Sequence, residues 1–301
     1  MSKAQHTGLI VAAHGRHCMV ESEDGRRLIC HPRGKKSDCV VGDRVRWHLV
    51  AEEADEGVID GLEPRRNLLF RQDEWKTKQF AANLDQLMVL VAGEPMFSES
   101  QLSRALIAAE SAGIPTLIVM NKTDLPSAAA ARERLQPYRA MGIEVIEASL
   151  KTDPASVEIL RARTAGRATL VLGPSGTGKS TLINRLVPRA DAQVGEISQA
   201  LNSGRHTTTS TRWYWTDEAR TTALIDSPGF QEFGLRQIDA QQLPALMPDL
   251  KPHIGDCRFY NCTHRQEPGC AVTAAVERGE ISPSRYRIYG EIRDELTQTR
   301  W

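Results

Sequence analysis

No apolar run in this sequence reaches the roughly 18–20 residues that a helix needs to span a bilayer. The opening stretch, MSKAQHTGLI, lacks the shape of a signal peptide. Together these absences give the expectation of a soluble, cytoplasmic chain without a membrane partner. An excess of one charge is missing too: 38 Lys and Arg balance 38 Asp and Glu, for a formal net charge of zero. That balance does not advertise nucleic-acid binding by the whole chain, and it leaves room for a local basic patch. Cysteine is sparse, with six in 301 residues. Three are scattered early (Cys18, Cys30, Cys39) and three cluster late (Cys257, Cys262, Cys270) with His264 among them. In a reduced compartment such a Cys/His cluster reads as metal-binding rather than as disulfides. Internal repeats and long low-complexity tracts are absent as well.

What is present divides the chain in three. The length and the 41% apolar content suit two or three domains with cores of their own. Residues 1–72 show short alternating runs (GLIVAA, HCMVES, RLICHP, RVRWHLV, EGVIDGL) separated by turn signals. They predict a small five-stranded barrel, OB-like or SH3-like. Cys18, Cys30 and Cys39 read as its core. Residues 73–235 alternate strand and helix, which predicts α/β architecture with a mostly parallel sheet. The strands are expected at 84–93, 114–122, 143–149 and 168–173, with helices after Ser98, over 127–142 and over 154–163. Residues 236–301 carry the Cys/His cluster and end in a helix opened by Ser282-Pro283, with Tyr286, Tyr289, Ile292 and Leu296 on one face.

The stretch GPSGTGKS matches G-x-x-x-x-G-K-[ST] at Gly173, Gly178, Lys179 and Ser180. Glycines let the loop Gly173, Pro174, Ser175, Gly176, Thr177 and Gly178 curl so that its backbone N–H groups, which Pro174 alone lacks, point at phosphate oxygens, and the following helix adds its positive end. Lys179 reaches the β- and γ-phosphates, Ser180 offers a hydroxyl to Mg²⁺, and Thr181 follows in the first turn.

Some fifty residues upstream stands VMNKTDLP, at the end of a predicted strand, where open α/β sheets bind ligands. Asp124 can accept both the N1–H and N2–H₂ donors of guanine. The stem of Lys122 can pack on the base, Asn121 can tie the loop to the phosphate loop, and Thr123 completes the segment. The competing reading is a turn in which Asp124 caps the next helix. Ser149 and Leu150, in EASLK, resemble the loop that flanks the base from its other side. Asp226, in DSPG (226–229), can hold Mg²⁺ through water, and the Gly229 N–H can approach the γ-phosphate. In GRHTTTS (204–210), Thr208, with Thr207 next to it, can coordinate Mg²⁺ while the γ-phosphate is present.

The order NKTD, GPSGTGKS, GRHTTT, DSPGF, between an N-terminal barrel and a Cys/His module, resembles a circularly permuted GTPase of the ribosome small-subunit-dependent GTPase A (RsgA) family. The likeness covers nearly the whole chain. It implies a GTP hydrolase with Mg²⁺, slow alone and stimulated by the small (30S) ribosomal subunit, which assists late subunit maturation under control of its GTP/GDP state. It implies a monomer. Phe230 and Gln231 follow Gly229, so a hydrophobic side chain takes the place where many GTPases carry a water-orienting glutamine; the resemblance points to His206 instead, with Lys179 as the other catalytic group. Cys257, Cys262, His264 and Cys270 form a full tetrahedral donor set for one structural Zn²⁺, and the family carries the same four; His253 is a spare candidate. Arg33, Lys35 and Lys36, in HPRGKK, look like an exposed basic loop suited to phosphate backbones, and the resemblance makes the partner small-subunit rRNA. Trp47 is the main aromatic there, for stacking or for the core. Two alternatives stand beside this reading. An ATP-dependent P-loop enzyme would be separated by nucleotide competition, and a non-catalytic GTP-bound RNA-binding scaffold by hydrolysis with and without subunits.

Overall fold

Strands β1 (His6–His14), β2 (His17–Ser22), β3 (Arg27–Pro32), β4 (Arg44–Leu49) and β5 (Glu56–Leu62) form a ring in the computed structural model. That model describes residues 5–14, 17–34, 38–51, 54, 56–72, 77–187, 211–227 and 235–298. Pairing runs β1–β2–β3–β5–β4 and returns to β1; β3–β5 is parallel and the other pairs are antiparallel. This is the Greek-key order of an OB-like barrel. Its interior holds Ile10, Val20, Leu28, Val45 and Ile59 together with Cys18 and Cys30. Cys39 departs from expectation, being only partly buried at the barrel's edge. Trp47 is core, 3% exposed, with Nε1 donating to the Thr7 carbonyl, so it offers no stacking surface.

A bulge between Ile10 and Ala12 bends β1 out of the ring. The freed end pairs through Ala12 with Arg212 on β12 (Arg212–Trp215), so barrel and α/β sheet form one eleven-stranded sheet. Between them lies a hairpin that the pattern of the sequence does not reveal: β6 (Leu68–Gln72) antiparallel to β7 (Thr77–Ala82). It straddles the boundary expected at residue 72. Its flanks are polar, and only the packing of Leu69, Phe80 and Ala81 into the large core makes it a strand pair. Arg65 locks it to the barrel. Its Nε and Nη2 donate to the two oxygens of the fully buried Asp43 at 2.7 and 2.8 Å, and its Nη1 donates to Gln79. Asp43 is therefore a structural counter-ion, and a buried carboxylate must be paired in this way.

The α/β sheet orders its strands β10 (Glu144–Glu147), β9 (Thr116–Asn121), β8 (Gln86–Ala92), β11 (Ala168–Leu172), β13 (Ala223–Asp226) and β12. All neighbours are parallel except the antiparallel edge pair β12–β13. Side chains alternate between two apolar layers, as period-2 geometry requires. Leu87, Val89 and Val91 face one layer; Met88 and Leu90 face the other. The first layer is covered by α1 (Glu99–Ser111) and α2 (Ala128–Ala140), the second by α3 (Pro154–Thr164) and α4 (Lys179–Leu186). The caps follow the sequence: Ser98 accepts from the Gln101 N–H, and Asp153 accepts from Ala155 and Ser156.

The C-terminal segment contains two short 3₁₀ turns, α5 (Ala271–Glu277) and α6 (Pro283–Thr297), with the Ser282 hydroxyl capping α6. Val272, Ala275, Ile288, Tyr289 and Ile292 join the same apolar layer as α1 and α2. The buried stripe of α6 runs Arg285, Ile288, Tyr289, Ile292, with Tyr286 and Leu296 flanking it. Among the described residues, no helix is long and apolar enough to cross a membrane.

Candidate active site and metal centre

A cleft of about 460 Å³ opens at the carboxyl ends of β9 and β11. The phosphate loop forms one wall. Gly176 and Gly178 have φ of +82° and +107°, which side-chain-bearing residues rarely adopt. A Cβ on Gly178 would also collide with the Asn121 amide. Close approach of two loops therefore demands that glycine. The opposite wall is NKTD. Buried Asn121 donates from Nδ2 to the Thr177 carbonyl (2.8 Å) and accepts at Oδ1 from the Leu150 N–H (3.1 Å). One amide thus fastens three loops. Thr123 Oγ1 lies 2.8 Å from Ser149 Oγ and 3.2 Å from the Ala148 carbonyl, and the Ser149 N–H donates to Ser156 Oγ. Lys122, at φ +62°, donates to the Glu94 carbonyl at 2.7 Å, which lays its stem along the cleft. The Glu94 carbonyl had no signal in the sequence, because a backbone acceptor depends only on how the chain turns.

Asp124 lines the cleft and is exposed. It does not cap α2: the capping position is Ser127, without a side-chain bond. Among the described residues the Asp124 carboxylate has no hydrogen-bond partner, so both its oxygens remain free for a ligand. Pro174, Ser175, Ser180 and Thr181 line the same space, as do Leu150 and Lys151. Lys179 folds back to donate to the Gly173 carbonyl at 2.6 Å, and burial holds its ammonium below the usual lysine range, partly offset by Asp226. His206, Thr207, Thr208, Gly229, Phe230 and Gln231 lie outside the described residues, as do Lys35 and Lys36. Arg33 is described; its side chain is 74% exposed and sits 3.4 Å from Asp60.

Asp226 ends β13, in register with Val171, two positions before Gly173. Burial pushes its carboxyl up to about 6, against the pull of Lys179 and Arg212. The folded pKa lies above the unfolded value near 3.9, so proton binding favours the fold. The stabilisation is complete below about pH 4 and is lost as pH rises through about 6. At neutral pH the free protein carries a buried carboxylate costing on the order of 2–3 kcal/mol. Asp226→Asn is expected to raise the denaturation midpoint of the free protein at pH 7.5, by an amount that shrinks at pH 5, and to abolish the added stability from Mg²⁺ and nucleotide. Denaturant titrations at both pH values, with and without Mg²⁺·GTP, check this.

Far along the chain, Cys257, Cys262, His264 and Cys270 bring their ligand atoms within 4.8 Å of one another. Cys257 Sγ is 3.4 Å from His264 Nδ1 and 3.9 Å from Cys270 Sγ; Cys270 Sγ is 3.6 Å from Nδ1. A tetrahedral metal with sulfur at about 2.3 Å and nitrogen at about 2.0 Å would need edges of about 3.5–3.8 Å, so the set fits a metal ion. His253 stands apart, 3.8 Å from Glu280. The loop is held in place: Tyr286 and Tyr289 hydroxyls donate to the His264 and Thr263 carbonyls. Glu267 accepts from the Thr263, Arg265 and Gln266 N–H groups. Hydrogen bonding from the Thr263 side chain first, and then from backbone N–H groups including those of Thr263 and Arg265, holds its carboxyl well below the usual range.

Sequence reasoning missed Arg285, buried on α6. Its guanidinium makes two bonds to Asp249 (2.8 and 2.9 Å), donates to Ser103 on α1 and lies 5.5 Å over the Tyr138 ring on α2. The signal was available, since Arg285, Ile288, Tyr289 and Ile292 follow i, i+3, i+4, i+7.

A phosphate loop joined by one asparagine to an upstream Asn-Lys-x-Asp loop, on a parallel sheet, defines a P-loop nucleotide-binding protein with its motifs in permuted order. The comparisons with known proteins make this more specific. A family model described as RsgA GTPase matches residues 62–236. The chain is 61% identical to a small ribosomal subunit biogenesis GTPase RsgA of Variovorax paradoxus, over 98% of this chain and 94% of that protein. It is 53% identical to the protein of the same name in Bordetella pertussis, over 100% and 99%. Its structure is similar to that of YjeQ from Thermotoga maritima (TM-score 0.74, 30% identity, 99% and 100% covered). It is also similar to YloQ, described as a circularly permuted GTPase (TM-score 0.70, 26% identity, 99% and 98% covered). The chain belongs to the RsgA GTPase family.

Proposed function

We propose that this protein hydrolyses GTP to GDP and phosphate and acts in maturation of the small ribosomal subunit, as the names of its relatives state for them. The observation that carries this reading is Asn121, which bonds the phosphate loop and the Leu150 loop at once and so builds one cleft for base and phosphates. Asp124 reads the guanine edge, Lys122 covers its face, and Ser149-Leu150 closes the other side. The phosphate-loop amides and Lys179 hold the phosphates. Ser180, Asp226 and Thr208 are the residues suited to Mg²⁺, which when bound neutralises charge on the β- and γ-phosphates. Gly229 approaches the γ-phosphate and His206 orients the attacking water. The Cys₃His set holds one structural Zn²⁺, for which sulfur-rich tetrahedral sites are suited. The barrel (1–72), with Arg33, Lys35 and Lys36, binds rRNA beside the GTPase domain (73–235) and the metal module (236–301), in a cytoplasmic monomer.

Hydrolysis measured with and without purified small subunits tests the whole reading. Phosphate release is expected to be slow alone and faster by tenfold or more with subunits; equal rates would remove the ribosomal role. In the same assay His206→Ala is expected to lose about 10²-fold in stimulated rate while binding GTP normally. A wild-type rate for that variant would assign the water to another group.

A further inference from the structure

A second cleft, of about 390 Å³, lies at the other end of the strands that carry the nucleotide site. It is framed by the start of β11 (Ala168) and of β13 (Ala223), by the barrel (Leu9, Arg44) and by the connection at Arg66. Among the described residues, four other than glycine have left-handed backbones: Asn83, Lys122, Arg220 and His264. Lys122 belongs to the nucleotide cleft and His264 to the metal set. The remaining two, Asn83 and Arg220, both line this second cleft. Such conformations are costly and concentrate at functional sites.

The lining has a consistent chemistry. Trp213 and Trp215 meet edge to face with ring centroids 5.3 Å apart. Trp215 Nε1 donates to Glu21, whereas the buried Trp213 Nε1 has no acceptor among the described residues. Arg66 donates to Asp85 (2.8 Å) and to the Asn83 carbonyl (2.9 Å). Arg220 leans toward Glu21 at 3.6 Å. Arg44 is exposed and makes no ion pair or side-chain hydrogen bond among the described residues. Three guanidiniums face Asp85 and the neighbouring Glu21, so the cleft keeps a positive excess beside an aromatic wall. Arginine beside tryptophan suits a ligand that is flat at one end and anionic at the other. The volume is in the range of small-molecule sites.

We propose that this cleft binds one nucleoside monophosphate unit of single-stranded RNA, with the base against the half-buried ring of Trp215, which the buried Trp213 backs edge to face, and its phosphate on Arg44 and Arg220. The site is separate from the GTP cleft. Because barrel, connection and α/β sheet all contribute, an occupant fixes the barrel against the GTPase sheet.

The test uses the full chain saturated with Mg²⁺·GDP, so that the first cleft is filled. A 5′-phosphorylated hexauridylate carrying a 3′ fluorophore is the probe, read by polarisation; unlabelled uridine 5′-monophosphate is the free-nucleotide arm. Arg44→Glu/Arg220→Ser is expected to weaken the oligonucleotide at least tenfold while leaving GDP affinity unchanged, and Arg44→Glu alone, at an exposed position without an ion pair among the described residues, is expected to weaken it several-fold with the denaturation midpoint unchanged as well. A 4-thiouridine oligonucleotide is expected to crosslink within residues 211–221 of the wild-type chain. Uridine monophosphate competing as tightly as the hexamer would reassign the cleft to a free nucleotide and overturn RNA as its source. Unchanged affinity in the double variant, or crosslinks confined to other segments, would overturn the site itself.

Discussion

Asp124→Asn is expected to lose GTP affinity by about 10³-fold and to gain binding of xanthosine triphosphate. In the proposed pose the carboxylate would accept two charge-assisted hydrogen bonds, from N1–H and the 2-amino group, each worth about 1.5–3 kcal/mol. An asparagine accepts only one and turns an N–H₂ toward the amino group. Xanthine keeps N1–H and replaces the amino group with a carbonyl, so donor and acceptor match again. The structure supports a clean exchange, because Asp124 is exposed, caps nothing and has no partner among the described residues. Stability should therefore change by less than about 0.5 kcal/mol. Competition of GTP, ATP and xanthosine triphosphate against a fluorescent nucleotide measures the switch. An unchanged GTP preference would return the loop to a plain turn.

The largest expected loss of stability comes from Arg285→Ala. It strips the counter-ion from Asp249, whose side chain is 7% exposed, and leaves Ser103 and Tyr138 without their guanidinium. Removing one partner of a buried ion pair costs about 3–5 kcal/mol. Arg287→Ala, on the same helix but exposed and paired among the described residues only with Glu291, is expected to cost less than about 0.5 kcal/mol. A double change, Arg285→Met with Asp249→Leu, should recover most of the loss, because a well-packed apolar pair is nearly neutral against a buried ion pair. Urea midpoints of the four proteins decide the matter. Equal loss in the single and double variants would mean that Arg285 acts by packing alone.

Arg285 also makes the C-terminal module more than an appendage. Its contacts reach α1 and α2, and α2 begins directly after the NKTD loop. Tyr286 and Tyr289, on the same helix, hold the loop of His264. One helix thus holds the loop of the metal set on one side and packs against α1 and α2 on the other.

The sequence by itself determined the local elements and the chemistry they carry. The phosphate loop, the capping serines Ser98 and Ser282, the buried parallel strands and the Cys₃His spacing each rest on neighbours within about ten residues, where backbone geometry and hydrogen-bond reach are set by residue type. The order of the motifs was enough to identify the permutation. Tertiary structure alone decided three other things. It chose the OB-like ring, because strand pairing such as β3 with β5 joins segments that no local pattern relates. It made a hairpin of β6 and β7, whose polar flanks carry no strand signal until Leu69 and Phe80 find the core. It also assigned Asp124 to the cleft and Arg285 and Asp43 to buried pairs. A charged residue looks the same in sequence whether it is solvated, paired or waiting for a ligand, and only the partner brought to it by folding tells these apart.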